Sequence, residues 1–182
     1  MFPKLNETKI ESSATKSDYL GEGAHTVEIR KFKTSDEVPG YQGTPYTEFM
    51  VGNDKGIAFL KFTGVDNYTS EAAARVRTEI FKSFLIAAGC SNFTDPHMSC
   101  NSITDNKVEV CLVKREYWIT DKDTNKPEIK SRVEYKFANP YGRQITFKNS
   151  YNKSLSLEDR AKYEEALKFS DEGIGNEVKV PF

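Results

Sequence analysis

The sequence predicts a mainly β fold with helical additions, and three observations carry that reading. Three segments within residues 23–63 alternate apolar and polar side chains. One segment after them has apolar residues at helical spacing, and two further alternating segments lie between residues 107 and 137. A period of two sends successive side chains to opposite faces of a sheet, whereas residues three and four apart share one face of a helix.

His25–Lys33 (HTVEIRKFK) places Val27 and Ile29 on one side and Glu28, Arg30 and Phe32 on the other. Pro45–Val51 sets Thr47, Phe49 and Val51 against Tyr46, Glu48 and Met50, and Ile57–Thr63 sets Ala58, Leu60 and Phe62 against Ile57, Phe59 and Lys61. A Pro/Gly loop, Thr34–Thr44, joins the first two and carries one aromatic, Tyr41. Asn53-Asp54-Lys55-Gly56 is a hairpin turn, since these residue types tolerate positive φ. Thr69 or Ser70 can cap a helix from about Glu71 to Ala88, with Gly89 as its stop. Its stripe of Val76, Ile80, Phe81, Phe84, Leu85 and Ala88 is a packing face. Cys90–Asn106 reads as irregular.

Lys107–Trp118 is a long strand with Val108, Val110 and Leu112 on its apolar side. A polar loop, Thr120–Glu128, leads to Ile129–Phe137, where Ile129, Val133, Tyr135 and Phe137 alternate with Lys130, Arg132, Glu134 and Lys136. Asn139-Pro140-Tyr141-Gly142 turns the chain, and Gln144–Lys148 is expected to add a short strand. Ser156 and Asp159 make a capping-box start to a helix ending near Phe169.

Three meandering strands, a helix and two strands is the element order of an OB-fold, a five-stranded Greek-key barrel with its helix between strands three and four. Here a C-terminal helix is added. The expected organisation is a flexible N-terminal arm (1–20), the barrel (21–152), the C-terminal helix (153–169) and a flexible acidic tail (170–182). The chain of 182 residues suits one well-buried domain. No apolar run reaches the length of a membrane span, and the start lacks the apolar core of a signal peptide, so a cytoplasmic protein is expected. Three cysteines fit reduced thiols better than a disulfide framework. The net charge of −1 conceals a division: Lys107–Lys153 holds 11 Lys and Arg against 6 Asp and Glu, whereas Ser154–Phe182 holds 4 against 7. A basic middle followed by an acidic end suits a polyanionic partner.

An OB-fold binds ligands on the face of strands two and three, between the one–two and four–five loops. Those places hold Tyr46, Phe59 and Lys61, then Tyr41, then Lys122 and Lys126. Arg30 and Phe32 join from the first strand, and Lys114, Lys130 and Arg132 from the late strands. Single-stranded nucleic acid uses that mixture, with bases stacked on rings and cations along the phosphates. The competing reading is that Tyr46 and Phe59 pack under the arm or the C-terminal helix. Tyr117 and Trp118 are adjacent and point to opposite faces. Trp118, the sole tryptophan, sits at the mouth of the four–five loop and is the preferred stacking residue.

The run LGEGAHTVEI, then GTPYTEFMVGNDKG, then FKSFLIAAG, then a late strand before DKDTNK resembles the OB-fold single-stranded DNA-binding proteins of tailed bacteriophages. The likeness covers about residues 20–137. It implies a non-catalytic, sequence-tolerant protein that protects single-stranded DNA in phage replication, recombination or repair, in the host cytoplasm. Such proteins often finish in an acidic tail ending Pro-Phe that docks replication and repair enzymes. This chain ends Val180-Pro181-Phe182 after Asp171, Glu172 and Glu177, which implies a partner-binding tail, although Lys179 departs from the pattern.

Cys90, His97, Cys100 and Cys111 could supply a tetrahedral zinc, but their C-x6-H-x2-C-x10-C spacing fits no standard finger, so no cofactor is expected. Asp121, Asp123 and Asn125 imitate a calcium loop whose glycine is replaced by Lys126 and whose twelfth position is Arg132, so that reading is rejected. There is no phosphate-binding glycine loop or nucleophile elbow, and catalysis is not expected. The alternative is a protein-interaction or virion-assembly module that grips a peptide with an OB-like barrel.

Overall fold

The alternating segments form one five-stranded sheet in the computed structural model, which describes residues 19–34, 46–63, 70–93 and 96–172. The strands are β1 (Gly23–Thr34), β2 (Tyr46–Asn53), β3 (Gly56–Thr63), β4 (Lys107–Thr120) and β5 (Pro127–Pro140), in the order β3-β2-β1-β4-β5. The β1–β2, β2–β3 and β1–β4 ladders are antiparallel. Among the described residues there are three α-helices: α1 (Glu71–Ala87), α2 (Pro96–Ser102) and α3 (Leu157–Glu172). The chain divides into two compact units. One runs up to Leu112 and includes Tyr135–Phe147; the other comprises Val113–Glu134 and the chain from Lys148 onward.

The first unit buries the parities that alternation assigns to a core. Val27, Ile29, Phe49, Val51, Leu60, Val108, Val110 and Leu112 are all essentially inaccessible. Phe49 is the hub, with ring centroids of Phe84, Phe32, Phe62 and Phe81 at 5.1, 5.9, 6.0 and 6.3 Å. Phe62 of β3 meets Tyr135 of β5 edge-on at 5.1 Å, so the two outermost strands of the sheet order touch through their side chains. Desolvation pushes the Tyr135 phenol well above its ordinary pKa.

Helix α1 starts where Ser70 Oγ accepts a hydrogen bond from Ala73 N at 3.2 Å. It ends at Gly89 (φ 89°), a left-handed position that only glycine adopts cheaply. Asn106 Nδ2 then donates to Ala88 O at 2.8 Å, tying the helix end to the start of β4. Phe84, Leu85 and Ala88 of the expected stripe are buried. Val76 is not: it is 58% exposed and lines a groove with Tyr135 and Phe137.

Several expectations need correction. Phe32 lies on the core side, because the β1–β2 register shifts between Ile29 and Lys31. The extra residue, Arg30, is a β-bulge, and a bulge reverses the parity of everything after it. The segment read as irregular contains α2. Gln144–Lys148 forms no strand, and a 3-10 turn at Asn149–Tyr151 follows it. The last two residues of the expected N-terminal arm are docked: Leu20 N donates to Ile57 O at 2.7 Å, and its side chain is buried in the core. Helix α3 runs to Glu172, past the expected start of the tail, and the rest of the tail lies outside the described residues.

In the second unit the β4–β5 hairpin closes at Asp121, whose carboxylate Oδ1 accepts from the amides of Asp123 and Thr124 at 3.0 and 2.9 Å. These bonds hold the Asp121 carboxyl below its usual pKa. Lys153 lines up parallel to β4, with Lys153 N donating to Lys114 O at 2.9 Å and Glu116 N to Lys153 O at 2.8 Å. Ser156 caps α3, its Oγ accepting from Asp159 N at 3.0 Å and donating to Asp159 Oδ2 at 2.7 Å.

Candidate nucleic-acid interface

In the first unit, the ladders place two rows of side chains on the outward face of β1–β3. One row is Lys31, Met50 and Phe59; the next is Lys33, Glu48 and Lys61. Phe59 is 45% exposed, and the Tyr19 ring lies 6.2 Å from it, so the arm covers part of that ring as the competing reading anticipated. Arg30 extends over the β2–β3 end, its Nη2 donating to Asn53 O at 3.4 Å. Gly52 makes room for it: a Cβ there would sit 3.0 Å from Arg30 Cζ and 2.9 Å from Gly56 O. The bulge therefore removes Phe32 from this face and puts Lys31 and Lys33 on it. Sequence reasoning missed both, since strict alternation through the Arg-Lys pair offers no sign of the inserted residue.

In the second unit, an open cleft of about 290 Å³ is lined by Arg115, Glu116, Tyr117, Trp118, Arg132, Lys153 and the segment Ser154–Ser156 with Asp159. The Arg132 guanidinium lies over the Tyr117 ring, 5.4 Å from its centroid, a cation–π arrangement. Arg132 also pairs with Glu134 at 2.5 Å, and Arg115 approaches the same carboxylate at 3.6 Å. Trp118 packs edge-on against Tyr163 of α3 at 6.3 Å. Both adjacent rings line the cleft, where the sequence expectation allowed only one to serve. The acids of the cleft are engaged locally: Glu116 Oε2 accepts from Leu155 N at 3.3 Å, and Asp159 is held by Ser156.

Lys114, Lys122, Lys126, Lys130 and Arg132 are exposed; displayed parity predicts this for Lys130 and Arg132 and the loop position for Lys122 and Lys126, whereas Lys114 shares the parity of Val108, Val110 and Leu112 and is exposed because the burial of β4 ends at Val113. Lys130 pairs with Glu128 at 3.6 Å. Arg115, Lys153 and Tyr163 were missed, and Tyr117 was weighed only as the alternative to Trp118. Tyr41, the side chain of Tyr46, and Val180, Pro181 and Phe182 lie outside the described residues.

Of the zinc candidates, Cys90, Cys100 and Cys111 are buried free thiols, and the His97 side chain is outside the described set. Burial first and Cys90 second push the Cys100 thiol up to about 12. Cys90 Sγ donates to Asn92 O at 3.1 Å. No three His, Cys, Asp or Glu side chains gather as a metal set among the described residues. No helix among them is long and apolar enough to cross a membrane. No protein-family model matches the chain, and no curated protein matches it in sequence.

Proposed function

We propose that the chain is an OB-fold protein of the host-cell cytoplasm that binds single-stranded DNA without sequence preference and without catalysis, in phage replication or recombination. The observation that carries this is the cleft in which Tyr117 and Trp118 stand among Arg115, Arg132 and Lys153 while its acids are held by their own neighbours. Rings that accept any base and cations that follow the phosphates are the two parts sequence-tolerant binding requires. The fold supports the same reading. The order β3-β2-β1-β4-β5 with a helix between β3 and β4 is that of an OB barrel opened between its third and fifth strands. The Phe62–Tyr135 contact brings side chains across that opening. Lys31, Lys33 and Lys61 around Phe59 make the outward face of β1–β3 a second basic, ring-bearing surface.

Titration with oligo-dT tests this through quenching of Trp118 emission. With about four phosphates neutralised, log affinity should fall against log salt with a slope of roughly −3. Tyr117→Ala should weaken binding by about 5- to 150-fold, the loss of one stacked base. Absence of binding at low salt would overturn the proposal.

A further inference from the structure

We propose that Arg115 and Arg132 form one seat for a phosphate group, a backbone phosphate of the bound strand, and that Glu134 holds both arginines until the phosphate replaces it. For the identity of its ligand the proposal rests on the nucleic-acid reading of the cleft. The observation behind it is one carboxylate shared by two cations. Arg132 Nε lies 2.5 Å from Glu134 Oε1, and Arg115 Nη1 lies 3.6 Å from Glu134 Oε2. Each carboxylate oxygen thus faces a different arginine, and the two guanidiniums are set apart by the width of one oxyanion. Both arginines line the cleft.

A phosphodiester carries one negative charge and two exposed oxygens, as a carboxylate does, and a guanidinium fork matches either group. The exchange therefore conserves charge at the arginines. The ion pairs it breaks are weak ones. Side-chain exposures of 50% at Arg115, 57% at Arg132 and 29% at Glu134 leave them in contact with water, where such pairs contribute little. The arginines also lie beside the stacking ring. The Arg132 guanidinium stands over Tyr117, 5.4 Å from its centroid, and Arg115 precedes that ring by two residues on β4, so it shares its face of the strand. A strand whose base stacks on Tyr117 holds its own phosphate close to the seat, so the phosphate arrives at high effective concentration. The other acids of the cleft are committed elsewhere: Glu116 Oε2 accepts from Leu155 N, and Asp159 Oδ2 from Ser156 Oγ. Glu134 sets the affinity without touching the ligand, which makes it a positioning residue.

Glu134→Gln keeps the shape of the side chain and removes its charge. In the full chain it should tighten oligo-dT binding by about two- to tenfold at low salt, the range expected from releasing two exposed ion pairs. Glu158→Gln is the control. It removes the same charge from the same unit, where Glu158 pairs with Lys162 at 2.6 Å, and should change affinity by less than about twofold. In an Arg115→Ala/Arg132→Ala background, Glu134→Gln should likewise act by less than about twofold, because the groups it releases are gone. A second readout needs no nucleic acid. Inorganic phosphate, titrated at constant ionic strength and followed by NMR at the arginine Nε–H groups, should shift the Arg115 and Arg132 signals. Half-saturation should fall at least about threefold in Glu134→Gln. Phosphate shifts of this kind without oligo-dT binding would support the seat and overturn the nucleic-acid reading. Oligo-dT binding that Glu134→Gln leaves unchanged, equal tightening by Glu158→Gln, or phosphate binding indifferent to Glu134→Gln would overturn the seat and leave that reading standing.

Discussion

Phe32→Ala separates two surfaces that strict alternation confuses. If β1 alternated without interruption, Phe32 would stand on the outward face, where truncation costs little stability and removes a stacking ring. The bulge at Arg30 instead turns it inward, against Phe49 at 5.9 Å. Full truncation of a buried phenylalanine costs about 3–5 kcal/mol, through lost transfer free energy and the cavity left behind. Phe49, fully buried at the centre of four other rings, should show about 4 kcal/mol as Phe49→Ala. Phe32 is only partly buried, so about 2 kcal/mol is the scaled expectation. Urea denaturation followed by far-UV circular dichroism measures both. At an m-value of about 2 kcal/mol per molar urea, the midpoint should fall by roughly 1 M for Phe32→Ala and 2 M for Phe49→Ala. Oligo-dT affinity of folded Phe32→Ala should stay within about twofold of the parent, since no stacked base is lost. Unchanged stability together with a large loss of affinity would refute the inward placement of Phe32.

Gly52→Ala should cost about 1–3 kcal/mol, because its methyl would meet Gly56 O and the Arg30 guanidinium in the urea melt of an otherwise conservative variant. Stability should also decline in alkali. The Cys100 thiol, held up to about 12 by burial, stays protonated in the folded chain while the unfolded chain ionises near 9.0. Stability is thus fully present below about pH 9 and is lost as pH rises toward 12, so urea midpoints should fall between pH 8 and about pH 10.5, and flat midpoints would contradict the burial. Asp121→Ala should speed hydrogen exchange at the Asp123 and Thr124 amides, which lose their acceptor. In the parent the same amides should open as pH falls below the ordinary carboxyl value of 3.8, since the bonds favour the ionised form.

Local chemistry made much of this molecule legible before any coordinates. The turn at Asn53–Gly56, the Ser70 cap, the Gly89 stop and the Ser156–Asp159 cap each depend on two to five neighbouring residues, and all four are where the sequence places them. The buried parities of β2 and β3 follow for the same reason, since a period of two holds wherever no residue is inserted. For the candidate site, the exposure of Lys122, Lys126, Lys130 and Arg132 was readable from parity and turn position, whereas that of Lys114, in phase with Val108, Val110 and Leu112, was not.

Contacts between residues far apart in sequence were not readable. A bulge is a property of two paired strands, so nothing within HTVEIRKFK alone reveals that Arg30 is the extra residue and that Gly52, 22 residues later, leaves space for it. The arrangement of Tyr117 under Arg132, and of Trp118 against Tyr163, likewise depends on which strands and helix meet, and separations of 15 and 45 residues leave no periodic trace. The sequence by itself determined the five alternating strands, the caps of α1 and α3 and which face of β2 and β3 is buried, because those choices are made by neighbours along the chain. Tertiary structure alone decided that both Tyr117 and Trp118 line the cleft, which lysines share the outward face and which strands end the sheet, because each depends on a partner that only folding supplies.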